Sequence, residues 1–234
     1  HELIERCSQP TIHIPHAVCA NRYKKFVMKR SPGSPKSSLA LVLSCLLVLI
    51  SMPAEAHHGW FYNARYLVTD EGLPPTQKDP NLVNAWGIAF NPFGPVWVNN
   101  AETGTSTLYD GDGNIVPLVV KVPAPDGSTG APTGIVYNGS QGFVVASGSL
   151  SAPSRFIFAT EQGSLAAWAP TVDKYNAYTV ANRSATGAIY KGLAMSGGGN
   201  GGLLYATDFH NNKIDVYDSE FKLVTAAGGF TDSH

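Results

Sequence analysis

The hydrophobic pattern is most regular at residues 203–218, where it predicts two short β-strands joined by a turn. Residues 203–207 are apolar and rich in strand-forming side chains, whereas residues 208–212 are polar and suit a turn. From Lys213 onward polar and apolar residues alternate, with Ile214 and Val216 on one side. Because side chains alternate between the two faces of a strand, this period of two predicts a half-buried strand.

The same pattern occurs three times along the chain, each time after a glycine. The opening glycines are Gly87, Gly134 and Gly192, and each is followed by an apolar run and by further short strands. The middle copy is looser and carries an insertion at residues 147–154. A repeat of roughly 40–60 residues built from short strands is typical of a propeller blade. The sequence therefore predicts an all-β fold, a β-propeller, and leaves a β-sandwich with accidental similarity as the alternative.

Composition and charge agree with many strands joined by tight turns. The 234 residues include 24 glycines and 16 prolines, and 44% of them are hydrophobic. Residues 57–234 carry nine Lys or Arg and fourteen Asp or Glu, a net charge of −5. This part of the chain has no basic stripe, so we expect no nucleic-acid partner.

The amino-terminal sequence predicts export. Residues 28–56 begin with Met28 and two basic residues, continue through an apolar core at residues 39–50, and end in a small-x-small site formed by Ala54 and Ala56. These are the parts of a signal peptide, with cleavage before His57. The apolar core is shorter than the roughly twenty residues that span a bilayer. A membrane anchor formed by residues 39–50 is the alternative.

The sequence thus divides into three predicted parts. We interpret residues 1–27 as a non-native or upstream extension, residues 28–56 as the signal peptide and residues 57–234 as about three propeller blades. A genuine cytoplasmic extension before a signal anchor is the alternative for residues 1–27. Since closed propellers usually have about four to eight blades, we expect the propeller to be incomplete and the chain to be truncated at its C-terminus.

All the cysteines lie before the predicted cleavage point. Cys7, Cys19 and Cys45 all lie before residue 57, so the predicted mature chain contains none. We expect it to enter an oxidising compartment without disulfides and without a thiol nucleophile.

Polar residues that follow the second strand of each unit are candidate ligands. They are Asn99, Glu161 and Asp208, which the repeat places at similar points in successive units. Their amide and carboxylate oxygens suit Ca²⁺, which takes six to eight such ligands. The pattern therefore predicts a calcium site at one mouth of the propeller channel. The alternative is three separate surface turns whose side chains bond their own backbone.

Two further features of the repeats are candidate sites. His210 is the only histidine inside the repeats, and it is a candidate ligand-binding residue or general base, with an exposed turn residue as the alternative. Residues 110–114 begin like a calcium loop, but Ile115 stands where that loop needs a glycine. An Asp-Gly turn explains these residues better.

The repeat resembles known propeller sequences. Gly-Ile/Leu-Ala, a loop, Leu-Tyr-Ala-Thr-Asp and Asn-Asn-Lys-Ile-Asp-Val-Tyr-Asp are similar to an NHL-type repeat. The longer strings at residues 67–70, 81–89, 131–136 and 156–161 resemble a family of exported, uncharacterised bacterial proteins. The resemblance covers residues 61–234 and implies a propeller fold and a periplasmic or extracellular location, but no activity. More distant relatives include calcium-dependent lactonases and carbohydrate- or protein-binding modules, whose site motifs do not match here.

Two functions remain open on the sequence alone. The first is an exported binding or scaffold propeller whose partner is a small molecule, a polysaccharide or a protein. The second is a calcium-dependent hydrolase of the lactonase type, in which the metal polarises a carbonyl. No complete set of acid, base and metal ligands is visible, which favours the first. Calcium is the one cofactor that the pattern suggests, and we expect membrane contact only through an uncleaved signal segment.

Overall fold

The computed structural model of the protein describes residues 64–71, 77–197 and 202–225, which all belong to one compact unit, residues 62–234. The extension predicted at residues 1–27, the signal peptide predicted at residues 28–56 and its cleavage point lie outside the described residues. Within the described ranges no helix has the length and apolar character needed to cross a bilayer. The helical structure seen there is a 3-10 turn, Ser184–Thr186.

A short parallel pair precedes the repeats and is tied to the first of them. It consists of β1 (Val68–Thr69) and β2 (Gln77–Lys78). Asp79 directly follows β2 and is buried, and its Oδ2 accepts a hydrogen bond of 2.8 Å from the hydroxyl of Tyr109. The other oxygen, Oδ1, accepts the backbone N–H of Asn81 at 2.9 Å. Both carboxylate oxygens are therefore satisfied, which a buried charge requires.

Blade 1 is a four-stranded antiparallel sheet in which each strand pairs with the next one along the chain. Its strands are β3 (Ala85–Phe90), β4 (Val96–Asn100), β5 (Thr105–Tyr109) and β6 (Ile115–Lys121).

Blade 2 repeats this meander with one addition. Its strands are β7 (Pro132–Tyr137), β10 (Phe156–Thr160), β11 (Ser164–Trp168) and β12 (Tyr178–Asn182), and the hairpin of β8 (Val144–Ser147) and β9 (Leu150–Pro153) stands between β7 and β10 in sequence. This hairpin accounts for the insertion that the sequence indicates at residues 147–154.

Blade 3 has the same strand order, with β13 (Tyr190–Met195), β14 (Leu204–Asp208), β15 (Lys213–Tyr217) and β16 (Leu223–Val224). The first strands of the three blades, β3, β7 and β13, lie side by side, and we call them the inner strands. Three separate meanders arranged in this way are propeller blades. The predicted all-β propeller fold is confirmed, and the β-sandwich alternative is wrong.

The two hydrophobic cores lie between consecutive blades. Between blades 1 and 2, Trp97 stacks on Phe156 with ring centroids 4.1 Å apart, and Trp168 packs against both rings. Between blades 2 and 3, Ile157 of blade 2 and Leu204 of blade 3 belong to one buried cluster. Blade 2 is therefore covered on both faces, and its central strands β10 and β11 are buried along their whole length.

The opening glycines let the inner strands approach one another. A Cβ atom on Gly87 would lie 2.2 Å from the carbonyl oxygen of Thr133, and one on Gly134 would lie 2.4 Å from the backbone nitrogen of Leu193. Both distances are far below van der Waals contact, and backbone atoms cannot rotate away. The repeated glycine is thus explained by close packing of neighbouring blades.

Each inner strand also carries a bulge beside its glycine. The pairing register shifts between Ala85 and Ile88 of blade 1, between Tyr190 and Gly192 of blade 3, and at the corresponding point of blade 2. A bulge changes the direction of the local side chains. The side chains of the residues just before the glycines therefore do not follow the regular alternation between the two faces of the strand.

The turn after the second strand is built alike in the three blades. In each, a backbone N–H donates to the carbonyl of the residue directly before the inner strand, in the pairs Ala101 to Asn84, Glu161 to Ala131 and Phe209 to Ile189. The last turn residue is left-handed in each blade, with φ of 65° at Gly104, 71° at Gly163 and 52° at Asn212. These turns therefore lie at the same end of every blade as the start of the inner strand.

We predict that Gly134→Ala destabilises the protein strongly. The new methyl group would meet the backbone of Leu193, and overpacking of this kind costs roughly 1–3 kcal/mol. The free energy of unfolding, measured by denaturant titration, should fall by that amount. Gly111→Ala is the matched control, because no atom lies within 4 Å of a Cβ built there. An equal effect of the two substitutions would contradict the packing role of Gly134.

Candidate functional site

Side chains from three blades meet at the end where the inner strands begin. Trp86, Thr133 and Lys191 each precede an opening glycine, so they occupy the same repeat position in blades 1, 2 and 3. Lys191 lies over the indole of Trp86, with its Nζ 4.6 Å from the ring centroid. Blade 2 stands between the blades that supply these two residues. The contact therefore crosses the surface on which the three inner strands converge.

Glu161 completes this group. It follows the last residue of β10 and forms an ion pair with Lys191, so that blade 2 contributes the carboxylate. We call Trp86, Glu161 and Lys191 the inner-strand site. The lysine and the glutamate are each about one-third exposed, and Trp86 is 45% exposed. The site thus presents an aromatic surface, an ammonium group and a carboxylate to solvent.

Asn99 and Thr133 form a buried support beneath this site. The side-chain Nδ2 of Asn99 donates to the carbonyls of Thr133 and Gly134, at 3.0 and 3.2 Å, and so joins blade 1 to blade 2. The hydroxyl of Thr133 donates to the carbonyl of Tyr190 at 2.7 Å and joins blade 2 to blade 3. Within the described ranges the Oδ1 atom of Asn99 has no hydrogen-bond partner. Asn99 is therefore a link between blades rather than an exposed ligand.

Asp208 is committed to the turn that follows it. Its Oδ1 accepts the backbone N–H groups of Ile189 and Asn211, both at 3.2 Å, and its Oδ2 accepts the side-chain Nδ2 of Asn211 at 2.7 Å. The carboxylate is buried. It stabilises the start of the inner strand and the left-handed turn of blade 3.

His210 lies in the same turn and is exposed. A Cβ built on Gly187, which follows the 3-10 turn, would lie 3.1 Å from the imidazole Cδ2. The histidine therefore rests against the backbone of that turn. Within the described residues, His210 forms no hydrogen bond or ion pair with Trp86, Glu161 or Lys191, so it does not belong to the inner-strand site.

Contrary to the sequence prediction, the three candidate calcium ligands do not occupy the same position in their blades but differ by one residue. Asp208 is the last residue of β14, and its counterparts at the ends of β4 and β10 are Asn100 and Thr160. Asn99 and Glu161 are the neighbours of these counterparts, so they do not share the orientation of Asp208. The cause is the alternation of side chains, because a shift of one residue moves a side chain to the opposite face.

The calcium hypothesis stays a prediction. The described residues include no group of three or more His, Cys, Asp or Glu side chains placed to hold a metal ion. A calcium ion at Asn99, Glu161 and Asp208 would have to compete with the ion pair of Glu161 and with the turn contacts of Asp208.

Residues 110–114 form the expected turn, in which the carboxylate of Asp110 accepts hydrogen bonds from the backbone N–H groups of Asp112 and Asn114.

A second polar cluster lies buried between blades 2 and 3. Tyr190 donates its hydroxyl to Oδ2 of Asp215 at 2.6 Å, and the hydroxyl of Tyr217 lies 2.6 Å from that of Tyr190. Lys213 reaches the other oxygen of Asp215 at 2.8 Å, and the Nε of Arg183 lies 3.9 Å from Oδ2. The buried carboxylate is thus balanced by two cations, which offset its desolvation.

Burial sets the ionisation of these tyrosines. It raises the pKa of Tyr217 to about 12 and also raises the pKa of Tyr190, whose hydrogen bond to Asp215 adds to the effect. Both hydroxyls therefore stay protonated near neutral pH and can donate in the chain of hydrogen bonds from Tyr217 through Tyr190 to Asp215. The hydrogen bonds of this cluster join β13 to β15 within blade 3, and its acid and hydroxyl groups are all engaged.

Trp86 and Lys191 are not among the candidate ligands predicted from the sequence. The usable signal was their position, since each directly precedes an opening glycine. The predicted calcium ligands Asn99, Glu161 and Asp208 instead follow the second strands of the units, where polar residues are conspicuous. An aromatic residue and a lysine at equivalent positions become a pair only when the inner strands are placed side by side.

The repeated blades define the class of this molecule as a β-propeller protein. No protein-family model matches the chain. Over 172 residues it is 34% identical to uncharacterized protein R648 of Acanthamoeba polyphaga mimivirus, a match that covers 72% of this chain and 41% of the relative. Over 172 residues it is 30% identical to uncharacterized protein L690 of the same virus, with 72% and 44% covered. The chain thus spans less than half the length of these relatives.

Solved structures that resemble this chain include a virginiamycin B lyase and a streptogramin B lyase. Virginiamycin B lyase from Staphylococcus aureus matches with a TM-score of 0.46 and 14% identity, over 71% of this chain and 48% of that one. A streptogramin B lyase matches with a TM-score of 0.33 and 13% identity, over 62% and 54%.

The predicted resemblance is supported at the level of the propeller fold. The curated relatives are viral and uncharacterised, rather than the exported bacterial proteins that the sequence resembles. They supply no activity for this chain.

Proposed function

We propose that this protein is an exported binding propeller and that its ligand engages the inner-strand site. The observation that carries the proposal is the contact between Trp86 of blade 1 and Lys191 of blade 3, closed by Glu161 of blade 2. Binding sites are commonly concave and combine an apolar surface with a few placed polar groups. In propellers such groups are supplied by side chains of several blades that converge at one end.

The chemistry of the site favours a saccharide. An aromatic surface packs against the apolar C–H face of a sugar ring, while an ammonium group and a carboxylate serve as donor and acceptor for its hydroxyls. Lys191 already rests on Trp86 and pairs with Glu161, so the three side chains are oriented before a ligand arrives. Such preorganisation lowers the entropic cost of binding.

The contacts also favour binding over hydrolysis. Glu161 is neutralised by Lys191, and Asp208 is engaged by Asn211 and Ile189. Neither carboxylate is therefore presented as an unpaired general base. The proposal therefore follows the binding module rather than the calcium-dependent hydrolase.

We predict that Trp86→Ala weakens saccharide binding about tenfold, which corresponds to a stacking contribution of about 1.4 kcal/mol. The probes are neutral, N-acetylated and acidic oligosaccharides, titrated by calorimetry. Glu161→Gln keeps the shape of the side chain and removes its charge. It should lower the affinity only for those oligosaccharides whose hydroxyl groups donate hydrogen bonds to Glu161.

Phe93→Ala is the matched control, because Phe93 is a 92% exposed aromatic residue in the β3–β4 turn, at the other end of the inner strand from Trp86. It should leave affinity unchanged. The proposal fails if none of the three oligosaccharide classes binds, or if Trp86→Ala and Phe93→Ala behave alike.

We also propose that the protein leaves the cytoplasm, with residues 28–56 as the cleaved signal peptide. The support is the order of basic residues, a short apolar core and the Ala54-Glu55-Ala56 site. Bacterial origin and a periplasmic or extracellular destination belong to this proposal, which rests on the leader sequence.

The expected amino terminus of the protein expressed in a bacterium with its leader is His57. Sequencing the amino terminus of the fraction released from the cytoplasm tests this, with Ala56→Arg as a control that should block cleavage. Recovery of a membrane-bound chain that retains residues 39–50 would contradict cleavage and support an anchor.

A further inference from the structure

A cavity opens between blades 1 and 2, at the end of the blades opposite the inner-strand site. Its volume is about 540 Å³, within the range of about 300–1,000 Å³ that is common for small-molecule pockets. It lies beside Tyr137, the last residue of β7, which pairs with Phe156 at the start of β10. All the lining residues fall between positions 91 and 170, a stretch that is described throughout. The cavity is therefore built by blades 1 and 2 alone.

Aromatic side chains supply much of the lining. Trp97, Phe156 and Trp168, which pack together in the core between the two blades, are buried and form the floor of the cavity. The ring of Tyr137 meets that of Phe156 nearly edge-on, with centroids 5.5 Å apart, and Phe93 is exposed at the rim. Aromatic rings pair favourably with one another in stacked or edge-to-face arrangements. The cavity therefore suits a flat apolar ring.

Three polar groups of the lining are hydrogen-bond donors without a partner among the described residues. The guanidinium of Arg155 is exposed and forms no ion pair there, although the main chain of this residue is hydrogen-bonded on both sides. The indole N–H of Trp97 and the hydroxyl of Tyr137 also make no hydrogen bond there, whereas the indole of Trp168 donates to the carbonyl of Lys174. A guanidinium presents its donors in a planar fork that matches a carboxylate.

The side chains of the cavity offer few hydrogen-bond acceptors. The lining includes no Asp or Glu, and the side-chain oxygen of Asn91 already accepts the backbone N–H of Phe93 at 3.0 Å. A saccharide brings many hydroxyls that need acceptors, so it matches this lining poorly. An ionised carboxylate brings only acceptors, and Arg155 supplies the opposite charge. The chemistry thus differs from that of the inner-strand site, where a carboxylate is part of the lining.

We propose that this cavity is a second binding site and that its ligand is a small aromatic carboxylate. The ring packs among the side chains of Phe93, Trp97 and Tyr137, and the carboxylate accepts hydrogen bonds from the guanidinium of Arg155. The inner-strand site lies at the opposite end of β7, so this site does not depend on saccharide binding there.

Calorimetric titration of the 234-residue chain with hydrocinnamate tests the proposal. Binding should saturate at one ligand per chain. Two analogues separate the contributions of charge and ring: hydrocinnamamide keeps the ring and removes the charge, whereas glucuronate keeps the carboxylate on a hydroxylated ring. We expect each analogue to bind about tenfold more weakly, because one loses the charge-assisted hydrogen bonds and the other the aromatic packing.

Variants locate the binding in the cavity. Arg155→Gln should weaken binding of hydrocinnamate about tenfold and leave binding of the amide unchanged, since only the acid pairs with the charge. Phe93→Ala should weaken both ligands, since both use the ring. Arg65→Gln is the matched control, because it removes the same charge from an exposed position outside the cavity. Both replaced cavity side chains are exposed, so circular dichroism should show an unchanged fold.

Three outcomes overturn the proposal. The first is a wild-type chain that does not bind hydrocinnamate. The second is equal affinity for hydrocinnamate and either analogue, which would remove the role of the charge or of the ring. The third is equal affinity of the folded Arg155→Gln and Arg65→Gln variants for hydrocinnamate, which would place the bound acid elsewhere on the chain.

Discussion

The fold depends on a close approach between backbones, where the inner strand of one blade lies against that of the next. Gly87 and Gly134 are placed where any side chain would collide with backbone atoms of the neighbour. This approach brings Asn99 within reach of the carbonyls of Thr133 and Gly134, and it lets Trp97 stack on Phe156 further out. The aromatic core and the polar links between blades both depend on it.

The same constraint creates the candidate site. Because the inner strands are close, Lys191 of blade 3 can reach past blade 2 to Trp86 of blade 1. The bulge beside each glycine changes the direction of the side chain just before it. At this repeat position blades 1 and 3 carry the site residues Trp86 and Lys191, whereas blade 2 carries Thr133, which hydrogen-bonds to the neighbouring blade. One repeat position thus supplies structure in one blade and recognition chemistry in its neighbours.

The repeat, its glycines and its strands could be predicted from the sequence, because period-two alternation and turn residues are local properties. The position of Asn99 could not, since a register one residue away puts Asn100 at the equivalent point, and only strand pairing decides between them. The pair of Trp86 and Lys191 depends on contacts between residues more than a hundred positions apart. Local sequence patterns carry no information on contacts between residues so far apart in the sequence.

The central claim is that the blades stabilise one another through their inner strands, with blade 2 held on both faces. Hydrogen exchange measured by mass spectrometry on the intact chain tests it most directly. Amides of β10 and β11 should exchange slowest and together, at the free energy of global unfolding, while those of the exposed β8–β9 hairpin exchange much faster. Equal and independent exchange of the three blades would contradict the account, because it would mean that each sheet is stable without its neighbours.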